Sequence, residues 1–153
     1  MCIRDRNYHG YIGDLCRMGI LGEPDAELND LLSEIDAVQM ATRKPVKAGA
    51  IGGAVIEIAD RMINASPHKA YLHFMAHGMG LVSHEAPRLM HFGPVPYPGY
   101  DAARPLEAGM ILSIETTIAH PKRGFVKLED TVLVTADGCE GLGDGHRGWN
   151  KAG

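Results

Sequence analysis

An α+β fold is predicted by three features of this 153-residue chain. Its first half holds two segments with apolar residues at three- and four-residue spacing, and near residue 71 the composition changes to dense His and Gly. Its second half holds two short apolar runs bounded by Gly or Pro. The length fits one domain with a single buried core.

The elements follow in order. Residues 1–6 carry three charges and no period. Tyr8 to Asp14 then alternates like the end of a hairpin, so 7–18 is read as strand. Pro24-Asp25-Ala26-Glu27 opens an amphipathic helix on Leu28, Leu31, Leu32, Ile35 and Val38, with Pro and acids in its first turn, ending near Lys44-Pro45. A second helix over 51–63 carries Val55, Ile56, Ile58 and Met62, between Gly49 and Ser66-Pro67. Both apolar stripes are core. A loop holds Pro94, Pro96, Pro98 and Gly99. The runs 110–118 and 125–135 are buried strands joined by a turn over 119–124.

Hydrophobic residues make up 45% of the chain and charged residues 22%, as in a globular protein. A net charge of -4 supplies no basic field for phosphates or an anionic membrane, so neither nucleic acid nor membrane is expected as a partner. Cys2, Cys16 and Cys139 are odd in number and unpaired by spacing, which suggests neither a disulfide framework nor a thiolate zinc site. No apolar run approaches a bilayer span or a signal peptide, and a cytoplasmic location is expected.

The chemistry-bearing residues lie from His73 onward. His73, His77 and His84 come first, then Glu115 after an apolar run, then Glu129-Asp130 before another. A carboxylate flanked by strand apolars is costly to bury unless it is paired or holds a cation. From periodicity alone, ion pairs with Lys or Arg, or exposure on edge strands, explain both glutamates more simply than a metal does.

Specific residue words favour the metal. His77-Gly78-Met79-Gly80-Leu81 with His84-Glu85-Ala86-Pro87 resembles the HGxGL and HExP signature of the pita-bread metallopeptidases, the superfamily of methionine aminopeptidase, aminopeptidase P, prolidase and creatinase. Leu106-Glu107-Ala108-Gly109-Met110 through Glu115 resembles its LxPGMxxxxE block. Lys127-Leu128-Glu129-Asp130-Thr131-Val132-Leu133-Val134-Thr135 resembles its final RIEDTVLVT block, and Gly10 to Arg17 its GYxSDxTR strand. The four blocks occur in the family's order over roughly residues 8–143.

The resemblance implies the pita-bread fold, here its C-terminal portion, a mostly antiparallel curved sheet with helices on its outer face. It implies Asp14, His77, Glu115 and Glu129 as metal ligands, Asp14 and Glu129 bridging two divalent ions, and the donor set suits Mn, Co, Zn or Fe. It places His84 beside the substrate to stabilise the oxyanion, His73 on the substrate side, and Lys127 as a substrate-binding residue in the place of the family's arginine. The implied activity is an Xaa-Pro-type aminopeptidase or dipeptidase acting on small peptides. The alternatives are a creatinase-like hydrolase or lyase of a small non-peptide molecule, and a metal-free binding relative. A homodimer is open for the full-length protein.

Another metal-binding aspartate of the superfamily would fall at Ile3, and Asp5 is displaced from that register by about 7 Å. Residues 1–6 are therefore read as a junction or foreign segment and 7–153 as part of a catalytic domain. Such a chain is expected to hold at most one cation tightly. A second departure is Thr116-Thr117 where the proline-directed branch has Pro-Gly after the glutamate.

Overall fold

The structure, a computed structural model, describes residues 6–91 and 101–153. Ile3, Asp5 and the expected loop with Pro94, Pro96, Pro98 and Gly99 lie outside the described residues.

The chain opens with a hairpin of β1 (Arg6–Tyr8) and β2 (Tyr11–Gly13), antiparallel with Tyr8 opposite Tyr11. Both turn residues have positive φ, His9 at 52° and Gly10 at 91°, as the tight turn between twisted strands requires. The expected continuous strand over 7–18 is thus corrected. It folds back at His9-Gly10, continues as an isolated bridge between Cys16 and Glu129, and pairs again only at β3 (Gly19–Leu21). β3 runs parallel to the last strand, β9 (Asn150–Ala152).

Helix α1 (Ala26–Arg43) begins where the sequence signals it: the Asp25 carboxylate accepts from the Leu28 amide at 3.0 Å. Its buried face carries Leu31, Leu32, Ile35 and Val38, and also Gln39 and Thr42. Helix α2 (Gly53–Ala65) buries Val55 and Ala59, with Ile56, Met62 and Ile63 packed at the margin.

The main sheet has the order β5-β4-β6-β7-β8, built from β4 (Leu72–Gly78), β5 (Glu85–Leu89), β6 (Ile111–His120), β7 (Gly124–Val134) and β8 (Cys139–Gly141), with every pairing antiparallel. Side chains alternate across a strand. Leu72, Phe74 and Ala76 of β4, Leu112, Ile114 and Ile118 of β6, and Val126, Leu128, Val132 and Val134 of β7 fall on one face and join the core with α1 and α2. The alternate set, including His73, His77, Ser113, Glu115, Lys127, Glu129 and Thr131, falls on the other. One face therefore anchors the helices while the other carries polar chemistry.

Gly78, at the end of β4, sits at a register shift against β5. A Cβ there would lie 2.0 Å from the Ala86 carbonyl oxygen, so only glycine permits this approach. Among the described residues no helix is long and apolar enough to cross a membrane.

Candidate metal centre

Strand register builds the site as a grid. His77 stands opposite Ser113, and Ser113 opposite Thr131; in the next row Met75 faces Glu115 and Glu115 faces Glu129; in the third His73 faces Thr117 and Thr117 faces Lys127. Two glutamates directly opposed on adjacent strands repel unless a cation lies between them.

Asp14 reaches the grid from outside the sheet. The segment that carries it is stitched to the site by its backbone: Ile12 N–H donates to the Gly80 carbonyl at 2.7 Å, and Cys16 and Glu129 exchange bonds at 3.1 and 3.2 Å. The Thr131 hydroxyl donates to the Asp14 carbonyl at 2.6 Å. These bonds bring the Asp14 carboxylate to His77 and Glu129, and one ligand atom from each lies within 4.8 Å of the others, all three residues being buried.

His77 is fully buried, and its Nδ1 lies 3.0 Å from the Gly78 carbonyl oxygen. A carbonyl only accepts, so Nδ1 carries the proton and Nε2 bears the lone pair. That Nε2 has no hydrogen-bond partner among the described residues. Burial holds the imidazole below its ordinary pKa, despite the Gly78 carbonyl and the Glu129 charge, which act the other way. A neutral, buried, unpartnered nitrogen beside two carboxylates is what a borderline-soft divalent cation requires, and the donor set fits one.

Glu129 is oriented by two further contacts. Ser113 Oγ donates to Oε1 at 2.7 Å, and Lys127 Nζ lies 3.0 Å from Oε2. The same ammonium also bonds the Glu115 carboxylate. Glu115 is therefore in the site but turned to Lys127 rather than into the Asp14, His77 and Glu129 cluster. Burial and then the Glu129 charge push its carboxyl above the ordinary value, with Lys127 pulling it back. Burial lowers the Lys127 ammonium, yet Glu129 and Glu115 more than offset that and hold it above its ordinary value. Both glutamates are thus ion-paired through Lys127, and Glu129 also lies in the cluster with Asp14 and His77.

His84 stacks on His77 with centroids 4.2 Å apart and planes at 29°. Its Nδ1 lies 3.2 Å from Ser83 Oγ, and Arg88 Nη2 donates to its carbonyl at 2.9 Å, fixing the loop that carries it. Burial and the adjacent His77 hold its pKa down, which favours the neutral ring. His73 shares the polar face but is exposed and lies about 13 Å along the strand from His77.

Sequence reasoning passed over what braces the centre. Asp130, next to Glu129, points to the opposite face and is fully buried. Arg17 Nη2 meets its Oδ1 at 2.8 Å, Arg43 meets Oδ2 at 3.3 Å, and Arg147 bonds Oδ2 as well. Arg17 Nη1 also donates to the Glu129 carbonyl at 2.7 Å and to the Cys16 carbonyl at 2.8 Å. This guanidinium therefore clamps the Asp14-bearing segment onto β7. Arg17 matches the arginine closing the GYxSDxTR block, the one sequence signal that pointed to it.

Fold and donor set together define an antiparallel sheet whose polar face carries a buried cluster of donors that fits a divalent cation. Residues 6–136 match metallopeptidase family M24, and the chain belongs to that family. It is 31% identical over 136 residues to an Xaa-Pro dipeptidase of Pyrococcus furiosus, a match covering 88% of this chain and 36% of that protein. An X-Pro aminopeptidase of Thermotoga maritima superposes with a TM-score of 0.84 at 24% identity, over 97% of this chain and 40% of that one, which shows a shared fold. An Xaa-Pro dipeptidase of Bacillus anthracis does so with a TM-score of 0.80 at 28% identity, over 95% of this chain and 39% of that one. The architecture is the pita-bread fold that the sequence blocks implied. The chain spans little more than a third of the length of the relatives it matches.

Proposed function

We propose that this chain carries the metal-ligand half of an Xaa-Pro-type aminopeptidase or dipeptidase. The observation that carries the reading is the unpartnered Nε2 of buried His77 beside the Asp14 and Glu129 carboxylates. Family membership and relatives named as Xaa-Pro dipeptidases support the substrate class.

His77, Asp14 and Glu129 would hold the ion, with Glu115 joining when its carboxylate leaves Lys127. Mn, Co, Zn or Fe suits one imidazole with carboxylates. A bound divalent ion supplies an activated water and polarises a carbonyl. Ser113 fixes one Glu129 oxygen, so the carboxylate does not rotate as charge develops. A Ser83 hydroxyl donating to His84 Nδ1 leaves the His84 proton on Nε2, where it is available to a developing oxyanion. The Gly78 bulge and Arg88 hold that ring over His77. Lys127, engaged by both glutamates, presents a point charge rather than the planar fork an arginine would offer to a substrate carboxylate.

A panel of Xaa-Pro peptides, assayed on the native gene product with Mn, Co and Zn supplied separately, tests the reading. Turnover of at least one Xaa-Pro peptide is expected. No turnover of any peptide with metal verifiably bound contradicts it and leaves a small non-peptide substrate. In the same assay His84→Ala is expected to lower kcat by roughly 10²- to 10³-fold, the usual cost of one oxyanion donor, with metal content unchanged. Parallel loss of metal would move His84 among the ligands.

A further inference from the structure

Residues 142–152 follow β8 and lie past the stretch that matches the family, yet they close around the side chain that fixes the Asp14-bearing segment. Arg17 aims its donors at three separate parts of the chain. Nη1 donates to the Cys16 and Glu129 carbonyls at 2.8 and 2.7 Å, joining the Asp14 segment to β7. Nη2 meets Asp130 Oδ1 at 2.8 Å and the Gly143 carbonyl at 3.0 Å, and Nε donates to the Gly145 carbonyl at 2.8 Å. The Gly143 and Gly145 carbonyls belong to the strap of residues 142–152. Without them, a guanidinium only 9% exposed would be left with donors unanswered.

The strap is itself tied along its length. At its start the Leu142 amide donates to the Thr131 carbonyl at 2.8 Å, on the same residue whose hydroxyl donates to the Asp14 carbonyl. In its middle Arg147 Nε donates to Asp36 Oδ1 of α1 at 2.7 Å, and Nη1 bonds Asp130 Oδ2. At its end Asn150 pairs with Gly19 of β3, and both its amide and its Nδ2 donate to the Met18 carbonyl at 2.9 Å, one residue from Arg17.

Asp14 is the one donor of the cluster that the main sheet does not carry, so its position depends on tertiary contacts rather than on strand register. A metal ligand has to sit within about 0.2 Å of its bonding distance, which leaves little tolerance for a loose segment. Resting on the metal-centre reading above, we propose that residues 142–152 are a latch on that centre. By seating Arg17 they hold the Asp14 carboxylate within reach of His77 and Glu129, and Arg147 is the positioning residue that seats the latch. Coupling of this kind is reciprocal: a latch that favours the cation is itself favoured by the cation.

The test is calorimetric titration with MnCl2, beside far-UV circular dichroism, of the native gene product as wild type, Arg147→Met, Arg147→Lys and Asn150→Ala. Arg147→Met leaves Asp130 with Arg17 and Arg43 and leaves Asp36, 38% exposed, to water, so no buried charge loses its last partner. Asn150 is exposed, and its removal opens the other end of the latch. Both truncations are expected to weaken Mn binding, Arg147→Met by about tenfold, a coupling of ordinary size between linked sites, and Arg147→Lys is expected to recover part of the loss. In wild type, Mn is expected to slow hydrogen exchange of the Leu142 and Asn150 amides more than that of the α2 amides. Unchanged Mn affinity in the folded variants, even with a lowered melting temperature, would make the strap merely structural and overturn the proposal while leaving the metal centre intact. Exchange at Leu142 and Asn150 slowed no more than in α2 would overturn it equally. If Arg147→Met does not fold, Asn150→Ala and the wild-type exchange decide on the same terms. Wild type that binds no Mn would instead overturn the metal centre itself, and the proposal with it.

Discussion

Replacing Glu129 with Gln is expected to weaken divalent-cation binding by on the order of a hundredfold or more, above the 10- to 100-fold typical of residues that only support ligands. Glu129 is 3% exposed, lies in the cluster with Asp14 and His77, and receives both Ser113 Oγ and Lys127 Nζ. Gln preserves volume, so the cavity and strain terms that accompany core substitutions stay small. Its amide oxygen can still accept from Ser113. What disappears is the negative charge, on which affinity for a hard or borderline cation depends. Calorimetric titration with Mn or Zn, beside far-UV circular dichroism, separates loss of the ligand from loss of the fold. Unchanged stoichiometry and affinity in a folded variant would remove Glu129 from the centre.

Asp130→Ala is expected to show the opposite pattern, a large loss of stability of about 3–5 kcal/mol, the cost of leaving buried charges without their partner. Asp130 is fully buried beneath Arg17, Arg43 and Arg147, whose side chains are 9%, 10% and 19% exposed. Asp36 and Asp144 can still serve Arg147 and Arg43, but Arg17 keeps only carbonyl partners. The shift should appear as a lowered denaturation midpoint in urea at unchanged slope.

The same aspartate fixes a pH dependence. Burial alone would raise its pKa, but hydrogen bonding and charge from Arg147, then the charge of Arg17, hold it below the ordinary 3.8. A carboxyl whose folded pKa is depressed contributes stability that is fully present above its unfolded value and is lost as pH falls through the folded one. Wild type should therefore lose stability more steeply below pH 3.8 than Asp130→Ala does. Parallel acid profiles would show that the three arginines do not depend on Asp130.

The parts of the fold that local chemistry dictates were legible in the sequence. Asp25 caps α1 because an acid three residues before Leu28 can bond its amide, and the Leu31, Leu32, Ile35 and Val38 stripe has one partner surface to find. β6 and β7 were visible because burial on the helix side demands apolar residues at every second position. His77, Glu129 and Asp14 were nameable from the motif blocks, and the structure brings all three together. The reversal at His9-Gly10 was missed because the alternation from Tyr8 to Asp14 reads as one strand, although Gly10 and the histidine before it both tolerate a positive φ. Of the arginines around Asp130, at positions 17, 43 and 147, only Arg17 carried a sequence signal, as the last residue of its motif block; nothing marks Arg43 or Arg147 as buried rather than surface guanidinium groups. Glu129 and Asp130 look alike as neighbouring acids; only strand alternation sends one to the polar face with Asp14 and His77 and the other to the arginines. Lys127 could not be placed from its motif position, since the block does not say whether the cation there meets a substrate or, as in this structure, the two glutamates Glu115 and Glu129.

The central claim is that buried His77 Nε2 is a metal ligand, and anomalous diffraction at the Mn or Zn edge from metal-loaded crystals tests it most directly. The account predicts a peak about 2 Å from His77 Nε2, with carboxylate oxygens of Asp14 and Glu129 at similar distance. A bound cation lying elsewhere in the molecule, with His77 Nε2 turned to a hydrogen-bond donor, would contradict it.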